Sequence, residues 1–261
     1  MWQKKIKKTI FTLNVDGYSK DVTDITYPLI QYYANKIGAD FHVITERKFP
    51  EFPPVYEKLQ IYELAQKMEN DWNIYLDSDT LVHPEAIDFT EQIHKDTILH
   101  NAFDMASIRW KYDRFFLRDG RNLGACNWLA IASDWCIELW KPLDDLTYTE
   151  ALSQIKLSVA EANTNFICPE HLIDDFTLSR NIAKYGLKTS NIRNIMVNVG
   201  FLPEAGFFWH QYTAPTLAKP AAMIDALEQW GAETYVPGNI KLRILELRKK
   251  KQQEKLAVKP I

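Results

Sequence analysis

The chain is poor in cysteine, and this scarcity excludes two kinds of small-domain architecture. Its three cysteines, Cys126, Cys136 and Cys168, are scattered among 261 residues. They are too few and too far apart for a disulfide framework or a zinc site. The chain also lacks the excess of basic residues that is typical of a nucleic-acid-binding protein, since its formal net charge is −3.

Long hydrophobic runs are absent as well. No apolar stretch reaches the roughly 18 residues that a membrane-spanning helix needs. The start, MWQKKIKKTIFTLNV, has a basic opening, but its apolar run is short and no small-residue cleavage site follows. We therefore expect a mature, cytoplasmic protein. Its apolar fraction of 46% is ordinary for a globular chain, and its length is sufficient for a full core.

What the sequence does have is an alternation of strand and helix patterns. β-branched and aromatic runs predict strands, whereas apolar residues at helical spacing predict helices. The predicted elements are a strand at Ile6–Val15, a helix at Asp24–Ile37 ended by Gly38, a strand at Phe41–Thr45, a helix at Tyr56–Met68 and a strand at Trp72–Leu76. This order is typical of an α/β fold with a mostly parallel central sheet flanked by helices.

Two aspartates follow the third predicted strand in the stretch IYLDSDTLVHP. Asp77 and Asp79 would face the same side of an extended chain, with Cα atoms about 7 Å apart. Ligands of open α/β sheets bind beyond the carboxyl ends of strands. Neighbouring carboxylates repel each other unless a cation lies between them, and carboxylates suit Mg²⁺ and Mn²⁺. The alternative is an Asp-x-Asp that occurs by chance in a turn.

Residues 57–86, EKLQIYELAQKMENDWNIYLDSDTLVHPEA, resemble nucleotide-sugar-dependent glycosyltransferases of the GT-A fold, most of all those of family eight. The resemblance implies a GT-A-like α/β domain over residues 1–239 with a small antiparallel acceptor-side portion. It also implies that Asp77 and Asp79 bind Mn²⁺ or Mg²⁺, which bridges to the diphosphate of the donor. The residues implied in nucleotide binding are Leu13, Asn14, Asp16, Tyr18, Lys58, Asp77 and Ser78.

The segment FFWHQYTAPTLAKP carries the same resemblance. It implies that His210 is the third metal ligand and that Lys219 contacts the diphosphate. A neutral imidazole suits a borderline cation such as Mn²⁺, and an ammonium is a good point charge for phosphate. The alternative for His210 is a histidine packed among aromatic residues.

The segment CPEHLIDDFTLSRNIAKYG resembles the acidic segment that opens a helix beside the donor sugar. Asp174 and Asp175 are therefore the candidate catalytic residues, as contacts to sugar hydroxyls or as a general base. Acidic residues in a first helical turn also interact favourably with the helix dipole. The family often has an Asp-Gln pair here, so the Asp-Asp pair leaves the retaining or inverting outcome open.

The acceptor side is indicated by weaker patterns. In RNLGACNWLAIAS, residues 121–133, the resemblance suggests a sugar pocket lined by Asn122, Gly124 and Asn127, with a turn and a buried strand as the alternative. The aromatic and basic stretch 109–114 suggests an acceptor-binding lid.

The C-terminal residues 240–261 form a separate tail, with apolar residues at helical spacing followed by the basic run Arg248–Lys251. One hypothesis is peripheral contact with an anionic membrane that holds a lipid-linked acceptor. The favoured hypothesis is a packing helix with a solvated charged end.

The function that these patterns indicate is transfer of a hexose from a nucleoside diphosphate sugar, with UDP favoured by resemblance, to a glycan, lipid-linked or protein hydroxyl. A sugar-nucleotidyltransferase is one alternative, but its Gly-rich basic loop is absent: NVDGYSKD has one glycine and one lysine. A non-catalytic nucleotide-sugar-binding module is the other alternative, and the presence of Asp77, Asp79 and His210 argues against it.

Overall fold

The structure is a computed structural model that describes residues 5–101, 128–157, 159–163, 168–198, 206–211 and 218–231, and single positions at 242, 246, 249, 250 and 253. The chain divides into two compact units. The first unit comprises Met1–Asp16, Ala39–Asp77 and Asp88–Gly200, and the second comprises Gly17–Gly38, Ser78–Ile87 and Phe201–Ile261.

The described strands and helices alternate along the chain. The strands are β1 Lys8–Leu13, β2 Asp40–Ile44, β3 Trp72–Leu76, β4 Thr80–Val82, β5 Thr97–His100, β6 Leu129–Ser133, β7 Lys188–Asn191 and β8 Phe208–His210. The α-helices are α1 Lys20–Ile37, α2 Ile61–Met68, α3 Tyr148–Gln154, α4 Val159–Ala162, α5 Ile173–Tyr185, α6 Ile192–Asn198 and α7 Lys219–Gln229. Short 3₁₀ helices cover Pro54–Gln60, Phe89–Glu91, Asp134–Trp140 and Pro169–Leu172.

The first unit is built on a six-stranded sheet with the order β2-β1-β3-β6-β5-β7. Three of its five described pairings are parallel, and only β6 runs antiparallel to its neighbours β3 and β5. Every residue of β3 is buried, as expected for a central strand that is covered on both faces. Because β1 and β3 are parallel neighbours, their carboxyl ends, which lead to Asp16 and Asp77, lie at one edge of the sheet.

The second unit is smaller and has a core of its own. Val22, Ile25 and Leu29 of α1 pack with Leu81 of β4 and with apolar residues of α7. Strands β4 and β8 form a two-stranded antiparallel sheet with Thr80 opposite His210. The expected fold class, a mostly parallel α/β sheet with helices and a small antiparallel sheet, is therefore confirmed.

Several predicted boundaries were wrong by a few residues. The first strand ends at Leu13 rather than at Val15, and the first helix begins at Lys20 rather than at Asp24. The helix starts earlier because the carbonyl of Ser19 already accepts hydrogen bonds from the backbone of Val22 and Thr23. It ends at Gly38, as predicted, where φ is 67° and favours glycine.

The second predicted helix, Tyr56–Met68, is in fact a 3₁₀ helix followed by α2. Its first five residues belong to the 3₁₀ helix Pro54–Gln60, and the α-helix begins at Ile61. Pro54 explains the early start, because proline is well suited to the first position of a helical turn.

Two groups of predictions lie outside the described residues. Asn122, Gly124 and Asn127, and the lid proposed at residues 109–114, belong to the first group. The second group is the tail, of which only single positions are described. Among the described helices, none combines the length and the apolar character needed to cross a bilayer.

Candidate active site

Asp79 is the centre of a buried polar cluster in the second unit. Its Oδ1 lies 3.0 Å from Nε2 of His210. Its Oδ2 accepts a hydrogen bond from the hydroxyl of Tyr18 at 3.1 Å and another from the ammonium of Lys219. The Lys219 ammonium also donates to the Tyr18 hydroxyl at 3.1 Å. We call these four residues the Asp79 cluster.

The charge state of Asp79 follows from its partners. Burial alone would raise its pKa, but the hydrogen bond from His210 and the charges of His210 and Lys219 together lower the pKa well below its usual range. Asp79 is therefore ionised at neutral pH although it is buried. Its two oxygens are directed at an imidazole on one side and an ammonium on the other.

Local sequence explains how the cluster forms. The antiparallel register places Thr80 opposite His210, so Asp79 lies beside the end of β8, where the Gln211 N–H approaches its carbonyl at 3.4 Å. Lys219 is the first residue of α7, and Pro220 follows it in the first turn, where the missing N–H of proline costs nothing.

The Asp79 and His210 side chains fit a divalent metal ion. Two ligand atoms at about 2.1 Å from an ion and at a right angle to each other are about 3.0 Å apart, and the Oδ1–Nε2 distance is 3.0 Å. A carboxylate with an imidazole is also a ligand set that suits Mn²⁺. Asp77 lies two residues before Asp79 in the sequence, so the same short segment contains a second carboxylate.

A second buried cluster lies in the first unit. The ammonium of Lys58 is 2.6 Å from Asp174 Oδ2 and 3.4 Å from Asp77 Oδ1. It also lies over the ring of Tyr75, 4.6 Å from its centroid, and the Tyr75 hydroxyl donates to Asp77 Oδ1. We call these four residues the Lys58 cluster, and Lys58 itself is only 1% exposed.

The two charges of the Lys58 cluster respond differently to burial. Desolvation alone would lower the pKa of Lys58, but Asp174 and Asp77 more than offset it and raise the pKa above its usual value. For Asp174, burial raises the pKa and outweighs the lowering effect of Lys58. One ammonium thus neutralises two carboxylates. Lys58 therefore stays charged, whereas Asp174 is protonated more easily than an ordinary aspartate.

The sheet and a helix start position the members of the Lys58 cluster. Asp77 comes directly after β3, and its N–H donates to the carbonyl of Trp128 at 2.9 Å. Asp174 and Asp175 lie in the first turn of α5 and are both buried. Favourable interaction with the helix dipole at the surface is therefore not a sufficient account of this acidic pair. Oδ1 of Asp174 is buried and has no hydrogen-bond partner within the described part of the chain.

The chain between Asp77 and Thr80 does not have the geometry expected from the sequence. Asp77 and Asp79 were expected on one extended strand, but residues 78 and 79 form a turn between β3 and β4. The turn arises because the chain leaves one sheet at Leu76 and enters another at Thr80. Ser78 is buried there, and its carbonyl accepts a hydrogen bond from the Thr26 hydroxyl at 2.6 Å.

The loop after β1 contains the other predicted nucleotide-binding residues. Leu13 ends the strand, and the N–H of Asn14 donates to the carbonyl of Ile44 at 2.8 Å. Asp16 has a positive φ of 57°, and its side chain is 61% exposed. Its carboxylate pairs with Nη1 of Arg47 at 3.1 Å.

Comparison with known proteins gives structural neighbours only. No protein-family model and no curated protein matches the chain. Similar solved structures include the galactosyltransferase LgtC in complex with donor and acceptor sugar analogues, at 14% identity over 90% of this chain and 99% of that one, with a TM-score of 0.47. Another is a glycosyltransferase involved in glycosylation of the major capsid of PBCV-1, at 13% identity over 83% of this chain and 98% of that one, with a TM-score of 0.42.

A third neighbour is a Drosophila β-1,4-galactosyltransferase 7 in complex with manganese, UDP-Gal and xylobiose. It has 12% identity over 80% of this chain and 72% of that one, with a TM-score of 0.41. All three neighbours are glycosyltransferases by name, the class that the sequence resembles. Since every TM-score is below 0.5, the functional argument rests on the residues of this chain.

The structure thus groups the predicted residues in two places and adds residues that the sequence reasoning missed. Tyr18, Asp79, His210 and Lys219 meet in one cluster, and Lys58, Asp77 and Asp174 meet in the other. The missed residues are Tyr75 and Arg47. Arg47 lies three residues beyond β2, and this position past the carboxyl end of a strand was a signal that could have identified it.

Proposed function

We propose that the protein is a metal-dependent glycosyltransferase that moves a hexose from a nucleoside diphosphate sugar, with UDP as the nucleotide, to a hydroxyl acceptor. The observation that carries the proposal is the Asp79 cluster. A buried, ionised aspartate meets an imidazole at the distance of neighbouring metal ligands, and it meets an ammonium suited to phosphate. A departing diphosphate is stabilised both by a bound metal ion and by a nearby ammonium.

The donor diphosphate is assigned to one set of residues. Asp77, Asp79 and His210 would hold Mn²⁺ or Mg²⁺, which when bound neutralises the diphosphate and stabilises the charge of the departing group. Lys219 would donate to phosphate oxygens through its ammonium. The nucleoside is assigned to Leu13, Asn14, Asp16, Tyr18 and Ser78, around the turns that follow β1 and β3.

The transferred sugar is assigned to Asp174 and Asp175. Lys58 holds Oδ2 of Asp174, whereas Oδ1 has no hydrogen-bond partner among the described residues, and we assign Oδ1 to accepting a hydrogen bond from a sugar hydroxyl. Lys58 is buried and paired with Asp77 and Asp174. We therefore assign it to positioning these two carboxylates rather than to direct contact with the diphosphate. A raised pKa also makes Asp174 a better proton acceptor, the property that a general base requires in an inverting reaction.

The acceptor is proposed to be a hydroxyl of a glycan, a lipid-linked sugar or a protein. As an additional proposal, residues 240–261 make peripheral contact with anionic lipids. The basic run at 248–251 supports it. It would be tested by deleting residues 248–261 and measuring binding to vesicles that contain phosphatidylserine. Binding that survives the deletion would contradict a membrane role for the tail.

A thermal-shift panel tests the donor assignment. UDP-, GDP- and CDP-sugars are each added with Mn²⁺, Mg²⁺ or EDTA, and a ligand that binds the folded state raises the unfolding midpoint by mass action. We expect a metal-dependent increase with UDP-sugars that is absent in Asp79→Ala. No increase with any donor would contradict the proposal.

Product analysis then separates the enzyme from the two alternatives. A glycosyltransferase releases UDP from the donor, with transfer of the hexose to an acceptor or to water. A binding module shows the thermal shift without release of UDP. A nucleotidyltransferase instead forms a sugar nucleotide and pyrophosphate from a nucleoside triphosphate and a sugar phosphate.

A further inference from the structure

Lys219 occupies the carboxylate that the proposed metal ion would use. Its ammonium donates to Asp79 Oδ2 and is held there by a second hydrogen bond to the Tyr18 hydroxyl at 3.1 Å. Lys219 and Asp79 are buried and Tyr18 is half-buried, with the ammonium 5.9 Å from the centroid of the Tyr18 ring. Lys219 is therefore part of the Asp79 cluster, whereas a residue that only contacts phosphate has no need of this position.

The position of Lys219 matters because its ammonium and a divalent ion are both positive, and they would repel each other strongly if both lay against the buried carboxylate of Asp79. An ammonium within hydrogen-bond distance of Asp79 would lie next to a divalent ion bound to the same carboxylate. Water screens such a pair poorly when both charges are buried. Metal binding and the Lys219–Asp79 ion pair therefore compete for Asp79.

We propose that Lys219 is an internal counter-ion that keeps metal affinity low until a donor diphosphate is present. This inference rests on the proposed function, because it requires the metal site and a diphosphate-containing ligand. In the free protein, Lys219 neutralises Asp79 and the Tyr18 hydroxyl keeps it in place. When a diphosphate binds, the Lys219 ammonium moves to the phosphate oxygens and Asp79 becomes available to the ion.

This arrangement links the two binding steps thermodynamically. The apparent metal affinity is reduced by the fraction of molecules in which Lys219 occupies Asp79. A diphosphate that draws Lys219 away raises the metal affinity, and by reciprocity the metal raises the diphosphate affinity by the same factor. Lys219 is thus a positioning residue that makes metal retention depend on the donor.

The test measures Mn²⁺ binding by electron paramagnetic resonance, first with Mn²⁺ alone and then with Mn²⁺ and UDP. In Lys219→Met, which keeps most of the apolar stem, we expect Mn²⁺ alone to bind about 5- to 150-fold more tightly than in the wild type, the usual range of such coupling. UDP should raise Mn²⁺ affinity in the wild type and raise it much less in Lys219→Met. A role in phosphate contact alone predicts unchanged affinity for Mn²⁺ in the absence of UDP.

Two further variants distinguish local competition from a general change of charge. Lys36→Met removes a lysine of the same unit whose ammonium donates to the Pro84 carbonyl at 3.0 Å rather than to a carboxylate, and it should leave Mn²⁺ affinity unchanged. Tyr18→Phe removes the hydroxyl that holds Lys219 and should tighten Mn²⁺ binding by less than Lys219→Met does. Far-ultraviolet circular dichroism checks that each variant is folded.

The outcomes separate this inference from the function on which it rests. Equal or weaker Mn²⁺ binding by folded Lys219→Met, with binding by the wild type that is lost in Asp79→Asn, overturns the counter-ion role and leaves the metal site intact. An equal gain in Lys36→Met also overturns it. If neither the wild type nor Lys219→Met binds Mn²⁺ with or without UDP, the metal site itself fails and the inference fails with it.

Discussion

The Asp79 cluster and the Lys58 cluster are built from the same pair of residue types, yet their chemistry differs. Each joins a buried aspartate to a buried lysine and an aromatic hydroxyl. In the Asp79 cluster the hydrogen bond from His210 adds to the interaction with the Lys219 ammonium, and together they outweigh burial and lower the pKa of Asp79. In the Lys58 cluster a second carboxylate shares one ammonium, and burial raises the pKa of Asp174.

This difference underlies the separate roles that we propose for the two aspartates. Asp79 remains ionised and is arranged with a second potential metal ligand, as a metal-binding aspartate must be. Asp174 is held more weakly in its ionised form and keeps one oxygen without a described partner, which suits contact with a hydroxyl. The predictions below compare the clusters by changing one at a time.

The largest effect on activity is expected from Asp79→Ala. Removal of a carboxylate ligand should abolish metal binding and hexose transfer, because the diphosphate loses the charge that stabilises its departure. The measurement is UDP release from a UDP-hexose with Mn²⁺ present. Asp24→Ala is the matched control, since it removes an aspartate of the same unit whose ion pair among the described residues is with exposed Lys20. Metal-dependent release of UDP by Asp79→Ala would contradict the assignment.

The largest effect on stability is expected from Lys58→Met. The substitution leaves Asp77 and Asp174 close together without their shared positive charge, and removal of one partner from a buried ion pair costs about 3–5 kcal/mol. Urea unfolding should show this loss, and the double variant Lys58→Met with Asp174→Asn should recover part of it. A loss below about 1 kcal/mol, typical of exposed pairs, would show that Lys58 is not the buried counter-charge described here.

A pH series in EDTA should distinguish the two aspartates by sign. The lowered pKa of Asp79 contributes stability above its unfolded value of 3.8, and this contribution disappears as the pH falls toward the folded pKa. The raised pKa of Asp174 affects stability in the opposite direction. Ionisation of Asp174 lowers the free energy of unfolding near neutral pH, and this destabilisation disappears when Asp174 is protonated at lower pH. Asp79→Asn should therefore be less stable than Asp174→Asn at pH 7, and the gap should narrow below about pH 4. A gap that is independent of pH would contradict these charge states.

The smallest effect is expected from Arg47→Lys. Arg47 bridges Asp16 and Glu57 with Nη1 and Nε, both at 3.1 Å, and lysine cannot form this fork. If Asp16 contacts the nucleoside, donor binding should weaken about fivefold, in line with about 1 kcal/mol for one hydrogen bond, while kcat stays unchanged. A change in kcat without a change in donor affinity would place Arg47 elsewhere in the reaction.

Sequence patterns predicted the parts of the site that depend on local order. Strand β3 was predicted with its observed bounds, because its buried run has a clear end at Asp77. Gly38 was predicted to end α1 because of its position after the last apolar residue. The α/β class followed from the same alternation of strand and helix patterns.

Contacts between distant residues could not be predicted in this way. Lys58 and Asp174 are 116 positions apart, and Asp79 and Lys219 are 140 apart, so no spacing rule connects them. The turn at residues 78 and 79 was missed because a short polar segment after a strand fits both an extended chain and a turn. Lys58 is buried because the 3₁₀ helix Pro54–Gln60, which carries it, packs against α5 in the first unit.

The most direct test of the central claim is metal-dependent turnover of a UDP-hexose by the wild-type protein. UDP release is measured with Mn²⁺ and then with EDTA, alongside Asp79→Ala. The account predicts release with Mn²⁺, little release with EDTA and none above background in the variant. Equal release with Mn²⁺ and EDTA, or wild-type release by Asp79→Ala, would contradict the proposal that Asp79 belongs to a metal-dependent transferase site.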